Sequence, residues 1–543
     1  MTRISFPMLG LLAALCCPGI AAGQLPETAP PSDLSTQIAA LTSIPAVSRA
    51  NWGILVTTLD GTPLYALNEK KLFQPASNAK LFTTAAALAL LRTNTFETRI
   101  VGRGHFAGSE SLAGNLVLIG DGDANLSART IPYAPPASAK AAPAPALRCL
   151  EEMADAVAKS GLKAINGDIV GDDTLFPWEP YPIDWAADDL VWGYGAPVSA
   201  LTITDNQLKA TVSPGAIPGV PPTVTLDPAV SYYTVDTSAL TTGPAKSPSH
   251  VEFDRALGSK LLRIYGSIAI DSPADVEEIA IADPAEYAAI ALKAMLEARG
   301  ITITGPARAE HRLPTNTGSF QEATHQPVKG LDISGQTGHT RGSSLTHYGC
   351  DHCDSKTLPE DRLLASHSSV PVEEDITVTN KVSQNLHAEL LLHQLGAAVV
   401  ADGSTAQGAR VIRQFAVNAG VDPNDFIFFD GSGMSGHDLV TPRAIAKLLQ
   451  FATTQPWFAD YKASLPIGGV DGSLEHRFTA PPLKGHVFAK TGTNSETRAL
   501  SGYLECASGR TVIFSILVGN HAPGPPVDRD VMDKIVAAIA AAN

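Results

Sequence analysis

Ser77 and Lys80 stand three residues apart in the stretch Phe73–Leu91, FQPASNAKLFTTAAALALL. A serine hydroxyl is a weak nucleophile until a base takes its proton, and an amine one helical turn away can be that base when it is neutral. The S-x-x-K pattern alone is weak: a second copy, Ser160–Lys163, occurs in the same chain. A serine that caps a helix beside a solvated lysine would also explain it. Yet a cation in the first turn opposes the helix macrodipole, so Lys80 is poorly placed as a stabiliser. Two further short sets follow in order. Ser383-Gln384-Asn385 is the one S-x-N in the chain, and Lys490-Thr491-Gly492 is the one K-T-G.

S-x-x-K, then S-x-N, then K-T-G is the ordered set of penicillin-interacting serine enzymes. The residue types suit an acyl-enzyme. Lys80 serves as a base if its pKa falls by ~3 units from about 10.4, roughly 4 kcal/mol, through burial and a second cation. Lys490 can be that cation and can also attract a substrate carboxylate. Ser383 can relay a proton to the leaving amine, and Asn385 can hold Lys80 and a substrate amide. The backbone amides of Ser77 and Thr493 can form an oxyanion hole. Thr491, Gly492 and Thr493 make the substrate-binding strand, with the two hydroxyls on a terminal carboxylate.

These groups need elements to carry them. Leu81–Leu91 is almost wholly apolar and rich in helix formers, which predicts a buried helix; Pro75 sets its start and places Ser77 at its N-terminus. Ala50–Phe73 predicts a hairpin turning at Asp60-Gly61. Residues 376–397 predict a polar lead into a helix, with the S-x-N set at the helix start. Residues 425–452 predict a strand, a tight turn and a helix. Gly485–Asn520 alternates like antiparallel strands and carries K-T-G. Between them the texture is mainly β, with short strands broken by Gly and Asp and with helices near 146–162 and Asp283–Gly300. The expected fold class is α/β (α+β). One domain is made from residues 24–97 and 330–543. It is interrupted by residues 98–329, which form one or two extra domains, one nested near 214–275.

The chain has 543 residues, 44% of them hydrophobic and 17% charged, a globular profile too long for one core. A net charge of −15 argues against a nucleic-acid partner. Residues 1–23 read as a secretory signal: Arg3, an apolar run, then small residues. No other segment is apolar for the ~18 residues a bilayer span needs. The expected location is the periplasm, with no integral membrane segment in the mature chain. Cys149, Cys350, Cys353 and Cys506 remain after cleavage. Cys350-x-x-Cys353, beside His347 and His352, has no second half at zinc-ligand spacing, so a local disulfide is favoured over a metal. Neither a metal nor another cofactor is expected.

Longer stretches extend the pattern. Tyr194–Leu201 (YGAPVSAL), Leu364–Ser369 (LASHSS), NKVSQNLHAELLL, Asp430–Pro442 (DGSGMSGHDLVTP) and Leu465–Leu474 (LPIGGVDGSL) resemble the class C low-molecular-mass penicillin-binding proteins. The resemblance covers nearly the whole mature chain. It implies a serine D-alanyl-D-alanine carboxypeptidase and endopeptidase acting on peptidoglycan stem peptides that end in D-Ala-D-Ala, with β-lactams as covalent inhibitors. It implies a penicillin-binding, serine β-lactamase-like domain with large insertions between the first two motifs, and Ser383 does stand more than half the chain after Ser77. Met434 and Gly436 depart from a family pattern that reads leucine and arginine there, which removes a cation near the substrate tail. Asp173, in GDDTLF, matches a family aspartate that approaches the diamino acid of the substrate; a solvated turn aspartate explains it equally.

Two other readings compete. A β-lactamase or small-ester hydrolase could use the same catalytic domain, but no E-x-x-L-N segment is present to place a deacylating water, and so long an insertion suits a polymeric substrate. A non-catalytic cell-wall binding module would have no use for a nucleophile and its base.

Overall fold

The computed structural model describes residues 33–127, 129–135, 144–315, 318–335, 361–494, 496–522 and 524–543. The expected signal, 1–23, and the Cys350-x-x-Cys353 loop lie outside these residues. Cys149 and Cys506 are buried free thiols.

The two ends of the chain build one sheet. Its order is Val487–Asn494, Thr497–Glu505, Thr511–Gly519, Asn51–Thr58, Pro63–Leu67, and every neighbouring pair is antiparallel. The hairpin turns at Asp60-Gly61, with Gly61 at φ +89°, as the sequence predicts. Strand alternation sends side chains to two cores. Ile54, Val56, Phe514 and Ile516 face Ile38, Ile535 and Ile539 of the helices Leu34–Thr42 and Val527–Ala542. Leu55, Ile513 and Leu517 face Phe82, Leu88 and Leu449, in the core built around the helix Lys80–Leu91. Every residue of that helix is buried, which is why its sequence beyond Lys80 carries no charge.

The insertion is mainly β. Glu97–Ala107 pairs with Ser111–Ile119, and Ile169–Pro177 joins Ser111–Ile119 to Ala307–Arg312. Near 214–275, Thr234–Asp236, Leu240–Gly243, His250–Asp254 and Leu261–Ala269 form their own sheet. Gln207–Ser213 sits between Thr223–Asp227 and Asp275–Ala280. One cluster of buried residues, including Ile100, Leu116, Val157, Leu208, Ile264 and Leu292, runs through all three sheets. Residue 330 does not mark a single crossing between the two parts. The helix Phe320–His325 packs on Thr405–Asn418, and Leu331 lies in the core around Lys80–Leu91. The chain then returns, because Arg362–Ser368 pairs with Glu97–Gly102 of the insertion.

The S-x-N set stands at the start of the helix Asn385–Val400, as the sequence predicts, but the polar lead into it is itself a helix, Val372–Lys381, with a break at Val382–Gln384. Ser383 there has φ 60°, a left-handed backbone that ends one helix and re-aims the chain.

Candidate active site

Ser77 does not cap a helix. It sits in a 3₁₀ turn, Ala76–Ala79, that feeds Lys80–Leu91, and neither start carries a side-chain cap. Ala76 before it has φ +46°. Left-handed alanine and serine at 76 and 383 are local strain held by surrounding contacts, a feature common at functional sites.

Two glycines let the pieces close in. A Cβ on Gly433 would lie 1.9 Å from the Ala76 carbonyl oxygen, and one on Gly492 would lie 2.8 Å from that of Pro75. Asn78 Nδ2 donates to the Lys490 carbonyl at 3.0 Å and pins the serine turn to the K-T-G strand. That strand, Val487–Asn494, is the edge of the sheet, so one side of it faces the turn.

The five expected catalytic residues come together. Lys80 is fully buried, with its Nζ 2.9 Å from Ser77 Oγ, 2.7 Å from Asn385 Oδ1 and 2.8 Å from the Ser432 carbonyl. Two of these partners are carbonyl oxygens and can only accept. A neutral amine that gives them its two hydrogens has its lone pair left for Ser77 Oγ–H. Asn385 is oriented for this, because its Nδ2 donates to the Tyr194 carbonyl at 2.9 Å and so turns Oδ1 to Lys80. Lys490 Nζ, also fully buried, donates to Ser383 Oγ at 2.8 Å and to the Thr491 carbonyl at 2.9 Å.

Burial brings Lys80 down to about 7, against the opposing pull of Asp430, Glu389 and Asp438. The sequence reading assigned part of that depression to Lys490. The structure puts it on burial, and Lys490 is itself pushed well below its usual range by burial and by Lys80.

Beneath Lys80 lies a buried acidic group that sequence reading missed. Glu389 accepts from the Gly431 and Ser432 amides, the latter at 2.8 Å. Burial and the neighbouring Asp430 push Glu389 up to about 8. Asp430 accepts from the amides of Gly433 at 2.6 Å and Ser435 at 2.7 Å and from Trp185 Nε1 at 2.9 Å. Burial and Asp430 hold the Asp438 carboxyl well above the carboxylate range. One signal was visible: Glu389 is the lone acid in the run LHAELLL, and buried charges need partners.

The substrate-side residues divide. Thr491 Oγ1 is 2.7 Å from Ser473 Oγ, and the Thr493 hydroxyl, on an exposed residue, accepts from Arg498 at 3.3 Å. Arg498, missed in the sequence, puts a guanidinium beside the strand expected to hold a carboxylate. Asp173 does not join this group, in place of the substrate contact expected. It is 2% exposed, with its oxygens held by Ser199 Oγ at 2.9 Å and His311 Nδ1 at 2.8 Å. Burial pushes Asp173 up while His311 pulls it back; burial also works against the His311 charge, but Asp173 and Asp283 outweigh it and lift the ring to about 10. Asp189, half-buried, is joined to the cluster through Tyr194: it accepts from the Tyr194 hydroxyl at 2.8 Å, and the Tyr194 carbonyl orients Asn385. At Gly436 an added Cβ would meet Asp184 Oδ2 at 2.6 Å, and Asp184 lies 3.3 Å from His437 Nδ1. The place of the missing arginine thus holds an acid and an imidazole.

Residues 34–317 and 352–542 match the family model of the D-Ala-D-Ala carboxypeptidase 3 (S13) family. The chain is 29% identical over 512 residues to a D-alanyl-D-alanine carboxypeptidase from an Actinomadura species, across 92% of this chain and 83% of that protein. It is 24% identical over 486 residues to the D-alanyl-D-alanine carboxypeptidase DacB of Haemophilus influenzae, across 88% of this chain and 86% of that one. The crystal structure of penicillin-binding protein 4 from Haemophilus influenzae has the same fold, with a TM-score of 0.72 at 21% identity over 92% of this chain and 98% of that chain. Three ordered motifs, an interrupted fold and a family match over most of its length agree: the chain belongs to the D-Ala-D-Ala carboxypeptidase 3 (S13) family of serine peptidases.

Proposed function

We propose that the protein hydrolyses the terminal or cross-linking D-alanyl bond of peptidoglycan stem peptides through an acyl-enzyme on Ser77. The observation that carries this reading is the Lys80 amine, buried, near neutral in pKa and bonded to two carbonyl oxygens and one nucleophile. Ser77 Oγ attacks the carbonyl carbon as its proton passes to Lys80. The oxyanion is met by the amides of Ser77 and Thr493. The C–N bond breaks as the proton held by Lys80 passes through Ser383, which Lys490 positions, to the leaving D-alanine nitrogen, and Lys80 is neutral again. Water then attacks the ester, with Lys80 again taking the proton, and Ser77 is restored. Thr491 and Thr493, with Arg498 behind them, receive the terminal carboxylate, and Gly492 lets the strand approach. Arrival of that carboxylate favours the Lys490 ammonium and so draws a proton into the site.

A β-lactam follows the same first step, but its leaving nitrogen stays tethered and the ester persists. The relative from Haemophilus influenzae has been crystallised with a β-lactam, which supports this part of the reading. The described residues within 24–97 and 330–543 form the catalytic domain, joined by the helix Phe320–His325 and with Arg362–Ser368 lent to the insertion. The site of action is the periplasm, after removal of residues 1–23. Among the described residues no helix is long and apolar enough to cross a membrane. The deciding experiment compares release of D-alanine from a D-Ala-D-Ala peptide with turnover of a chromogenic cephalosporin. Peptide turnover with stoichiometric cephalosporin acylation supports the proposal; rapid cephalosporin turnover without peptide hydrolysis would make the protein a β-lactamase.

A further inference from the structure

His387 lies two residues beyond Asn385 on the same helix and is fully buried. Its Nδ1 is 2.8 Å from Asp375 Oδ1 and its Nε2 is 3.1 Å from Asp205 Oδ1. Ionised carboxylates only accept, so a ring held between two of them carries both protons and is a cation. Burial works against that charge, but Asp375 and Asp205 outweigh it and lift the imidazole to about 9.

The two acids come from different parts of the molecule. Asp375 is on the helix Val372–Lys381, which packs against Lys80–Leu91. Asp205 belongs to the insertion, in a turn where Thr204, Asp205 and Asn206 all have positive φ. Arg129, also from the insertion, binds the other oxygen of Asp205, and Gln384 Nε2 reaches the same oxygen at 3.4 Å. Gln384 is the middle residue of the S-x-N set. Burial opposes the Asp205 charge as well, but Arg129 and His387 hold its carboxyl down at about 2. A line of alternating charge, Arg129, Asp205, His387, Asp375, therefore runs from the insertion into the catalytic core. It touches the joint Val382–Gln384 at Gln384, next to Ser383 with its φ of 60°. The Tyr194 carbonyl, also from the insertion, fixes Asn385 from the other side.

We infer that the insertion is part of the catalytic machinery, with Asp205 and His387 as positioning residues that hold Ser383 against Lys490 and Asn385 against Lys80. The bridge from His387 to Asp375 crosses the joint between the two helices and sets their angle. Asp205 braces the bridge from outside. Neither residue touches a reacting atom; both act on the placement of groups that do. This assignment rests on the roles proposed for Ser383 and Asn385.

The bridge has a pH window. His387 is charged in the fold to about 9, whereas an unfolded imidazole is charged only below about 6.5. The stability it adds is fully present below 6.5 and is lost as pH rises through about 9. The groups facing the ring are Asp375 and Asp205, with Arg129 bound to Asp205 and Asp123 of the insertion near Asp375.

The test uses the full-length protein, a fluorescent penicillin and D-Ala-D-Ala peptide. Asp205→Asn keeps the shape of the side chain and removes its charge. Arg129→Met loosens Asp205 from outside without entering the His387 pocket. Asp205→Asn is expected to slow acylation at least tenfold with little change in the concentration for half-saturation, and to move the alkaline fall in rate from about pH 9 to lower pH. Arg129→Met should show both effects more weakly. A merely structural role would lower the melting temperature and leave the rate per folded molecule and its alkaline limb unchanged, which would overturn the inference. Should Asp205→Asn fail to fold, Arg129→Met gives the same decision from the same two readouts. Ser77→Ala run beside them separates the two levels: if it is still acylated, the reading of the site fails; if it is inert and neither variant is slowed, only this inference fails.

Discussion

Acylation by a penicillin should titrate with Lys80. Its pKa falls from 10.5 to about 7, with burial as the first cause. A drop of more than three units disfavours the ammonium by on the order of 5 kcal/mol, enough to leave a usable share of neutral amine near pH 7. At pH 6 roughly one Lys80 in ten is neutral and at pH 8 about nine in ten, so the rate should rise about tenfold between them and then level. A solvated lysine near pKa 10.4 would instead give a rise of about a hundredfold over that range, with no plateau. The assay is stopped-flow acylation of wild type from pH 5.5 to 9, repeated on two variants. Glu389→Gln replaces a carboxyl that keeps its proton to about 8 and keeps an oxygen for the Gly431 and Ser432 amides, so its midpoint near pH 7 should stay close to that of wild type. Lys490→Ala should leave the midpoint almost where it is, since burial sets it, while weakening recognition of a carboxylate. A rate that is flat with pH, or that climbs without a plateau, would refute a buried neutral base.

Glu389 also makes a stability prediction: its folded carboxyl keeps a proton up to about 8 where the unfolded one loses it near 4.5, so the native state binds more protons and wild-type stability falls as pH rises between these values. Glu389→Gln should escape a penalty on the order of 4 kcal/mol, read as a melting-temperature gap that widens in its favour from pH 5 to pH 8. Gly433→Ala combines φ +83° with a Cβ 1.9 Å from the Ala76 carbonyl oxygen, and should cost several times the ~1 kcal/mol of an ordinary glycine replacement and cut acylation by orders of magnitude. Asp173→Asn should lower the melting temperature, because it weakens a buried ion pair, yet leave the preference between stem peptides with cationic and neutral third residues unchanged; Asp189→Asn should reduce that preference, as measured by kcat/KM for the two peptides.

Much of the site was legible because acyl transfer by a serine and a lysine limits the residue types and their order. Three tetrad-scale motifs sit on a turn, a helix start and an edge strand, and the fold brings their functional side chains within hydrogen-bond distance. The sheet was legible too, since period-two alternation in Gly485–Asn520 and the Asp60-Gly61 turn are local signals. What escaped was non-local or conformational. Neither Ala76 nor Ser383 announces a left-handed backbone, because L residues take it only when distant contacts impose it. The break at Val382–Gln384 has no glycine or proline to mark it. Asp173 and Asp189 are both aspartates near turns, and only burial separates the one locked to His311 from the one beside Tyr194. Arg362–Ser368 gave no sign of pairing with the insertion, because pairing between strands far apart leaves no pattern in either.

The central claim is that Ser77 is the nucleophile. Its hydroxyl caps no helix, so Ser77→Ala should melt within about 0.5 kcal/mol of wild type. The measurement is mass spectrometry of protein incubated with a penicillin and digested with trypsin. The peptide Leu72–Lys80 should gain the mass of one intact penicillin in wild type, and Ser77→Ala should gain none and release no D-alanine. An adduct on any other serine, or a Ser77→Ala protein that still hydrolyses a D-Ala-D-Ala peptide, would contradict it.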